Sequence, residues 1–190
     1  LEIQRFSQID DDFEARVSAL AAPMDALDPS LASSVHDIIV QVRSGGDQAL
    51  LEFTRRFDQH PAKSVSELVF EGDTLKAFET QITSAERAAI TEAAQRIRRY
   101  HKEQISPAWS ITDEHGSRLG QRVRPMHRVG LYVPGGKASY PSSVLMNTIP
   151  AKVAGVAEVV MVAPTPSGQV NPLVLAAASM AGVDQVVTVG

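Results

Sequence analysis

An α/β fold, helical to about residue 105 and then a parallel sheet, is predicted by three features of this 190-residue chain. Apolar residues recur at helical spacing through the first half, from Phe13, Val17 and Leu20 to Ile90, Ala93 and Ile97. From residue 129 the pattern changes to strand, helix, strand, helix, strand, an order that implies a parallel sheet with right-handed crossovers. The first of those strands closes on Tyr132-Val133-Pro134-Gly135-Gly136, a glycine-bearing turn leading into a helix. Strand, turn, helix and second strand within so short a stretch form the front of a nucleotide-binding βαβ unit. The predicted architecture is thus an N-terminal helical region followed by the start of a Rossmann-like parallel-sheet domain, incomplete in this chain.

The elements follow in order. Phe13, Val17 and Leu20 make one apolar stripe on a short helix. Pro23 and Asp28-Pro29 interrupt, and Asp28 is positioned to cap the next helix with Pro29 at its first position, where no N–H is needed. Leu31, Val35, Ile38 and Val42 are its expected buried face, and Gly45-Gly46 its end. Asp47 can cap a third helix with Leu50, Phe53 or Thr54, and Phe57 inward. Ser64-x-x-Glu67 resembles a capping box, but Leu68-Val69-Phe70 is β-prone, so a short strand or irregular segment is expected there. Thr83-x-x-Glu86 is a better capping box. It opens a helix with Ile90, Ala93, Ile97 and Tyr100 or His101 on one face and Arg87, Arg96, Arg98 and Arg99 on the other.

After Trp109, residues 111–114 and 118–123 flank His115-Gly116 as a hairpin. Residues 129–133 read as a buried strand. Ser142 or Ser143 can cap a helix toward Ala154, with Pro150 expected to kink or stop it near Thr148. Residues 158–162 form a second strand, Asn171 or Pro172 starts a helix ending near Gly182, and residues 185–189 form a third strand.

Composition narrows the function. A net charge of −4 gives no basic surface for a phosphate backbone, so nucleic acid is not an expected partner. The absence of cysteine removes thiolate metal sites, disulfides and thiol nucleophiles, and fits a reducing cytoplasm. The most apolar region, 153–163, is broken by Gly155 and Glu158 and is too short to span a bilayer. Acidic residues interrupt the N-terminus, which is not a signal peptide. His36, His60, His101, His115 and His127 show no i, i+3 or i, i+4 pairing and no HExxH, so no metal site or catalytic residue is assigned within the chain. His36 reads as structural, and His60 and His115 as turn residues. The acidic run Asp10-Asp11-Asp12 suits a helix N-terminus and lacks the spacing of a calcium loop.

Chemistry concentrates at residues 132–136. Ligands bind at the carboxyl ends of strands in open α/β sheets, glycines admit close approach to the backbone, and a following helix N-terminus offers N–H groups to an anion. A tight strand-to-helix turn accounts for the same residues without a ligand. Lys137, Tyr140, Ser142 and Ser143 could add charge and donors, or form an ordinary solvated loop.

Two segments resemble the histidinol dehydrogenase family: R-S-G-G-D-Q-A-L-L-E-F-T-R-R-F-D from Arg43, and R-V-G-L-Y-V-P-G-G-K-A-S-Y-P-S-S-V-L-M-N-T-I-P-A-K-V-A-G-V from Arg128. The second is the more specific. The resemblance implies oxidation of L-histidinol to L-histidine through an aldehyde in two NAD-dependent steps, with zinc holding the substrate and a homodimer as the assembly. It implies that Tyr132 contacts NAD, with Pro134, Gly135 and Gly136 forming the rest of the cofactor turn. It also implies that the zinc ligands and catalytic Glu-His pair lie beyond Gly190, so that this polypeptide alone would be inactive. The corresponding division is an N-terminal helical arm over 1–25, part of a first α/β domain over 26–129, mostly helical with a hairpin at its end, and the start of the NAD-binding domain over 130–190. Two other readings compete. One is a related alcohol dehydrogenase with a different substrate; the other is a non-catalytic Rossmann-like binding module, which a sheet edge left open after Val189 disfavours.

Overall fold

The structure, a computed structural model, describes residues 5–21, 29–135 and 140–190. It divides into two compact units, Leu1–Ser44 and Gly45–Gly190.

The first unit holds α1 (Phe13–Ala21) and the front of α2 (Pro29–Asp58). Pro23 and the Asp28 cap lie outside the described residues. The acidic run is gathered by one cation: Arg16 lies 3.7 Å from Asp10 and 3.6 Å from Asp12, with its guanidinium 4.4 Å from the centre of the Phe6 ring. The expected apolar faces are not buried. Val17 and Leu20 are exposed, as are Leu31 and Val35, while Ile38 and Val42 are half-buried. Helical spacing set the faces, but neither face finds a covering partner among the described residues of its unit.

The break expected at Gly45-Gly46 falls at Gly46, whose φ of 55° and ψ of −139° interrupt the helical path. Beyond it Leu51 and Thr54 take the buried positions. Phe57, expected inward, is 58% exposed and stacks on Phe53 at 5.8 Å. With Leu51 and Thr54 setting the inward direction, a residue three further on lies at the helix flank.

The second unit is a sheet with a helical layer. Its strands are β1 (Val69–Glu71), β4 (Arg128–Tyr132), β5 (Glu158–Val162) and β6 (Gln185–Val187), in the order β1-β6-β5-β4. β4, β5 and β6 are parallel, in the register Arg128↔Glu158 and Val160↔Gln185. β1 adds antiparallel to β6, so the sheet is mixed. The short strand expected around residues 68–70 is present as β1; its antiparallel place at the edge of the sheet is what a parallel layer beginning near residue 129 did not anticipate. A 3-10 turn over Val65–Leu68 leads into it, and the Glu67 carboxylate accepts from Lys63 N–H. Side chains straddle the pairings: Arg128 Nε lies 3.1 Å from Glu158, and Gln185 donates to Glu71 at 2.8 Å.

The helices are α3 (Gly72–Lys76), α4 (Ser84–Lys102), α5 (Pro141–Val153) and α6 (Pro172–Ala181). α5 packs against both α4 and α6. Val159, Met161 and Val186 form one core with Val144, Leu145, Ile149 and Leu175. The residues alternating with them on the strands, Val160, Val162 and Val187, are only half-buried. Ala176, Ala177 and Ala178 are fully buried, and their short side chains let α6 approach closely.

Helix ends obey local chemistry. The Thr83 side chain accepts from Glu86 N–H, and the Glu86 carboxylate accepts from Thr83 N–H at 2.8 Å, the full capping box. Asn171 accepts from Leu173 and Val174 N–H, and Gly182 closes α6 in the left-handed conformation at φ 94°. α5 departs from expectation twice. Its N-cap is Tyr140 rather than Ser142 or Ser143, because Pro141 with its preset φ takes the first turn. It also runs through Pro150 to Val153. The Ala154 N–H bonds Pro150 O, and buried Val144, Leu145, Thr148 and Ile149 anchor the helix before the proline.

At the amino end of β5, Asp184 accepts from Lys152 Nζ at 2.6 Å and Val159 N–H at 2.7 Å. Burial pushes this carboxyl's pKa up, and the bonds from Lys152 and Val159 outweigh it, leaving the pKa lowered. The expected hairpin is β2 (Trp109–Thr112) with β3 (Arg118–Gln121), closed by Asp113 accepting from His115 and Ser117 N–H. All eight of its strand residues are exposed. Among the described residues no helix is long and apolar enough to cross a membrane.

Candidate cofactor-binding edge

The parallel strands end at one edge, where three turns meet. β4 finishes at Tyr132, which is 59% exposed, while Val133 is buried and its N–H donates to Val162 O at 2.9 Å. That bond extends the β4–β5 ladder by one residue and presents Tyr132 at the lip. Pro134 and Gly135 follow, both exposed. A Cβ built on Gly135 would lie 2.4 Å from Pro164 O. The turn after β4 therefore rests on the turn after β5, and only glycine fits. Gly136 and Lys137 lie outside the described residues. Tyr140 is 40% exposed at the start of α5.

After β5, Ala163 N–H donates to Val187 O. Thr165 is buried and its Oγ1 has no hydrogen-bond partner among the described residues. Its carbonyl accepts from Gly168 N–H, closing a 3-10 turn over Pro166–Gly168. After β6, Thr188 is buried and donates through Oγ1 to Leu68 O at 2.9 Å. Gly190 N–H donates to Asp58 Oδ2 at 2.9 Å, bringing the end of α2 to this edge.

Chemically, the edge offers an exposed aromatic ring, a backbone bare of side chains at Gly135, and an orphaned buried hydroxyl at Thr165. Such a mix of apolar surface, close backbone approach and sparse polar groups suits a nucleotide cofactor. No sequence spacing marked Asp58 or His60, whose neighbours Gly190 and Gly168 lie more than a hundred positions away, or Thr165, which is set apart by its hydroxyl's lack of a partner among the described residues. Zinc is a different case. Among the described residues no group of three or more His, Asp or Glu side chains converges as a metal site. The described side chains do not supply a donor set that fits that ion. A cleft of about 540 Å³ lies elsewhere, between the ends of α4 and α5 and the exit of β3, with His101, Arg124 and Pro150 among its walls. None of its lining residues belongs to the carboxyl edge.

Comparison with known proteins agrees with this architecture. The family model described as histidinol dehydrogenase matches residues 24–190. The chain is 52% identical over 188 residues to histidinol dehydrogenase of Pseudomonas savastanoi pv. phaseolicola, covering 99% of this chain and 42% of that protein. With the Nitrosospira multiformis histidinol dehydrogenase the identity is 48%, over 100% of this chain and 43% of the relative. The crystal structure of histidinol dehydrogenase from Elizabethkingia anophelis superposes with a TM-score of 0.78 at 28% identity, covering 88% of this chain and 38% of that one. The chain thus spans less than half the length of these relatives. A specific sequence match across nearly all of its residues, on the same arrangement of helices and mixed sheet, means that the chain belongs to the histidinol dehydrogenase family.

Proposed function

We propose that this chain supplies the dinucleotide-binding edge of an enzyme that oxidises L-histidinol to L-histidine through L-histidinaldehyde. Tyr132, presented at the carboxyl end of β4 in a family-matched segment, carries the reading. Bound NAD would accept hydride in each of the two oxidations. Tyr132 would pack against the cofactor, while Pro134, Gly135 and Gly136 would hold the backbone open for its close approach. The zinc ion and the residues that move protons are assigned to sequence outside these 190 residues, and the intact enzyme is read as a homodimer. The enzyme is read as cytoplasmic, in keeping with a biosynthetic role and a chain without cysteine.

The test is NADH production followed by absorbance on the full-length protein that carries this sequence, with histidinol against other primary alcohols, alongside its zinc content. Two NADH formed per histidinol and about one zinc per chain support the proposal. An enzyme inert toward histidinol but active on another alcohol would replace it with the related-dehydrogenase reading. Tight NAD binding with no oxidation of any alcohol would favour a binding module.

A further inference from the structure

We infer that His60 is a further cofactor-binding residue, its Nε2–H donating to an oxygen of the bound dinucleotide. The inference rests on the cofactor-edge reading above and extends it to a residue outside the Tyr132–Gly136 turn.

Three observations carry it. First, His60 is 9% exposed, and its Nδ1 accepts from Ala62 N–H at 3.1 Å. A neutral imidazole that accepts at Nδ1 carries its hydrogen on Nε2. Nε2 makes no hydrogen bond to any other described residue. The buried side-chain nitrogens and oxygens left without a partner among the described residues are Thr148 Oγ1 and Thr165 Oγ1, so Nε2 opens to solvent.

Second, that opening lies at the carboxyl edge. Nε2 sits 3.6 Å from the Cβ position of Gly168, and Pro61 Cδ sits 3.0 Å from it. Gly168 closes the turn that begins at Thr165, just after β5. Two residues before His60, Asp58 holds Gly190 just after β6. Residues 58–62 therefore cross the ends of two parallel strands, where open α/β sheets take their ligands.

Third, the adjoining turn contains the orphaned Thr165 hydroxyl. Two polar groups without a partner among the described residues, one buried and one opening to solvent, adjoin a single turn. An unmet donor or acceptor is costly once water is displaced from it, unless a ligand meets it.

The two amide variants separate ligand contact from turn structure. Asn places its Oδ1 near the Nδ1 position, keeping the Ala62 bond while deleting the far donor. Gln reaches toward the Nε2 position and gives up the Ala62 bond. In the full-length enzyme, His60→Asn is expected to raise KM for NAD about tenfold, the loss of one hydrogen bond, with kcat, KM for histidinol and thermal midpoint nearly unchanged. His60→Gln is expected to keep KM for NAD within about threefold, because the lost bond to Ala62 N–H is structural. A wild-type measurement covers the case in which His60→Asn fails to fold: NAD should protect His60 from diethylpyrocarbonate, read by mass spectrometry, and histidinol alone should not. An unchanged KM for NAD in a folded His60→Asn enzyme, a rise in KM for histidinol instead, or no protection would overturn the assignment. Tyr132→Ala is measured in parallel. If it weakens NAD while His60→Asn does not, only the His60 inference falls; if neither does, the cofactor lies elsewhere and both readings fall.

Discussion

The β4–β5–β6 layer and the β2–β3 ribbon are both short strands bounded by turn residues, and they end in opposite environments. Val159, Met161 and Val186 are fully buried beneath α5 and α6. On the ribbon Trp109, Ile111 and Leu119 are each more than half exposed. Local chemistry made both, through the parallel ladder in one and the Asp113 turn in the other. Tertiary burial separates them, and a two-stranded ribbon gains little stability by itself. The proposed cofactor edge belongs to the layer because its strands, held from beneath, fix where their ends point.

The comparison can be broken most directly in the core. Met161→Ala deletes a fully buried side chain beneath the helices and should destabilise by about 2–5 kcal/mol in urea unfolding. A loss below about 1 kcal/mol would show that the layer is not close-packed. Gly135→Ala should follow at about 1–3 kcal/mol, because the new Cβ meets the Pro164 backbone, and NAD affinity should fall with it. Gly130→Ala is the matched control: nothing lies within 4 Å of its Cβ position. If the two glycine variants behave alike, contact between the turns after β4 and β5 is not what fixes the edge.

A smaller effect concerns the helical layer's electrostatics. Ser179 donates to Glu79 Oε1 at 2.6 Å, and Arg87 Nη1 lies 3.0 Å from Oε2. The Ser179 bond lowers the Glu79 pKa, burial opposes it, and Arg87 reinforces the lowering. A carboxyl lowered in the folded state stabilises above its unfolded pKa and loses that contribution as pH falls through its folded value. Glu79→Gln should therefore flatten the loss of stability as pH falls below the ordinary glutamate range, seen as thermal midpoints of variant and wild type that converge toward acid pH. The smallest effect is expected on the ribbon, where Ile111→Ala should change stability by less than about 0.5 kcal/mol. A loss of 2 kcal/mol or more would mean that the ribbon face is covered in solution.

Features set by neighbours in sequence were legible beforehand. The Thr83–Glu86 capping box, the Asn171 cap, the Gly182 stop and the Gly46 break all depend on residues within one helical turn. Features set by distant partners were not. β1 gains its place from pairing with β6, more than a hundred residues on. Pro150 is tolerated because buried residues before it hold α5. Leu31 and Val35 show helical spacing but stay exposed, since periodicity states which side is apolar and not what covers it. At the edge, Tyr132 and Gly135 stood out through a contiguous motif. Thr165 and His60 did not, because one is set apart by an absent hydrogen-bond partner and the other by a turn folded over strands from the far end of the chain.

The claim that the carboxyl edge of β4 takes the cofactor is tested most directly by the NAD dissociation constant of the full-length enzyme with and without Tyr132→Ala. Tyr132 is largely exposed, so its removal should leave the thermal midpoint unchanged while weakening NAD by about tenfold or more, the loss of one stacked aromatic contact. Equal NAD affinity in the two proteins, with the fold intact in both, would contradict the account.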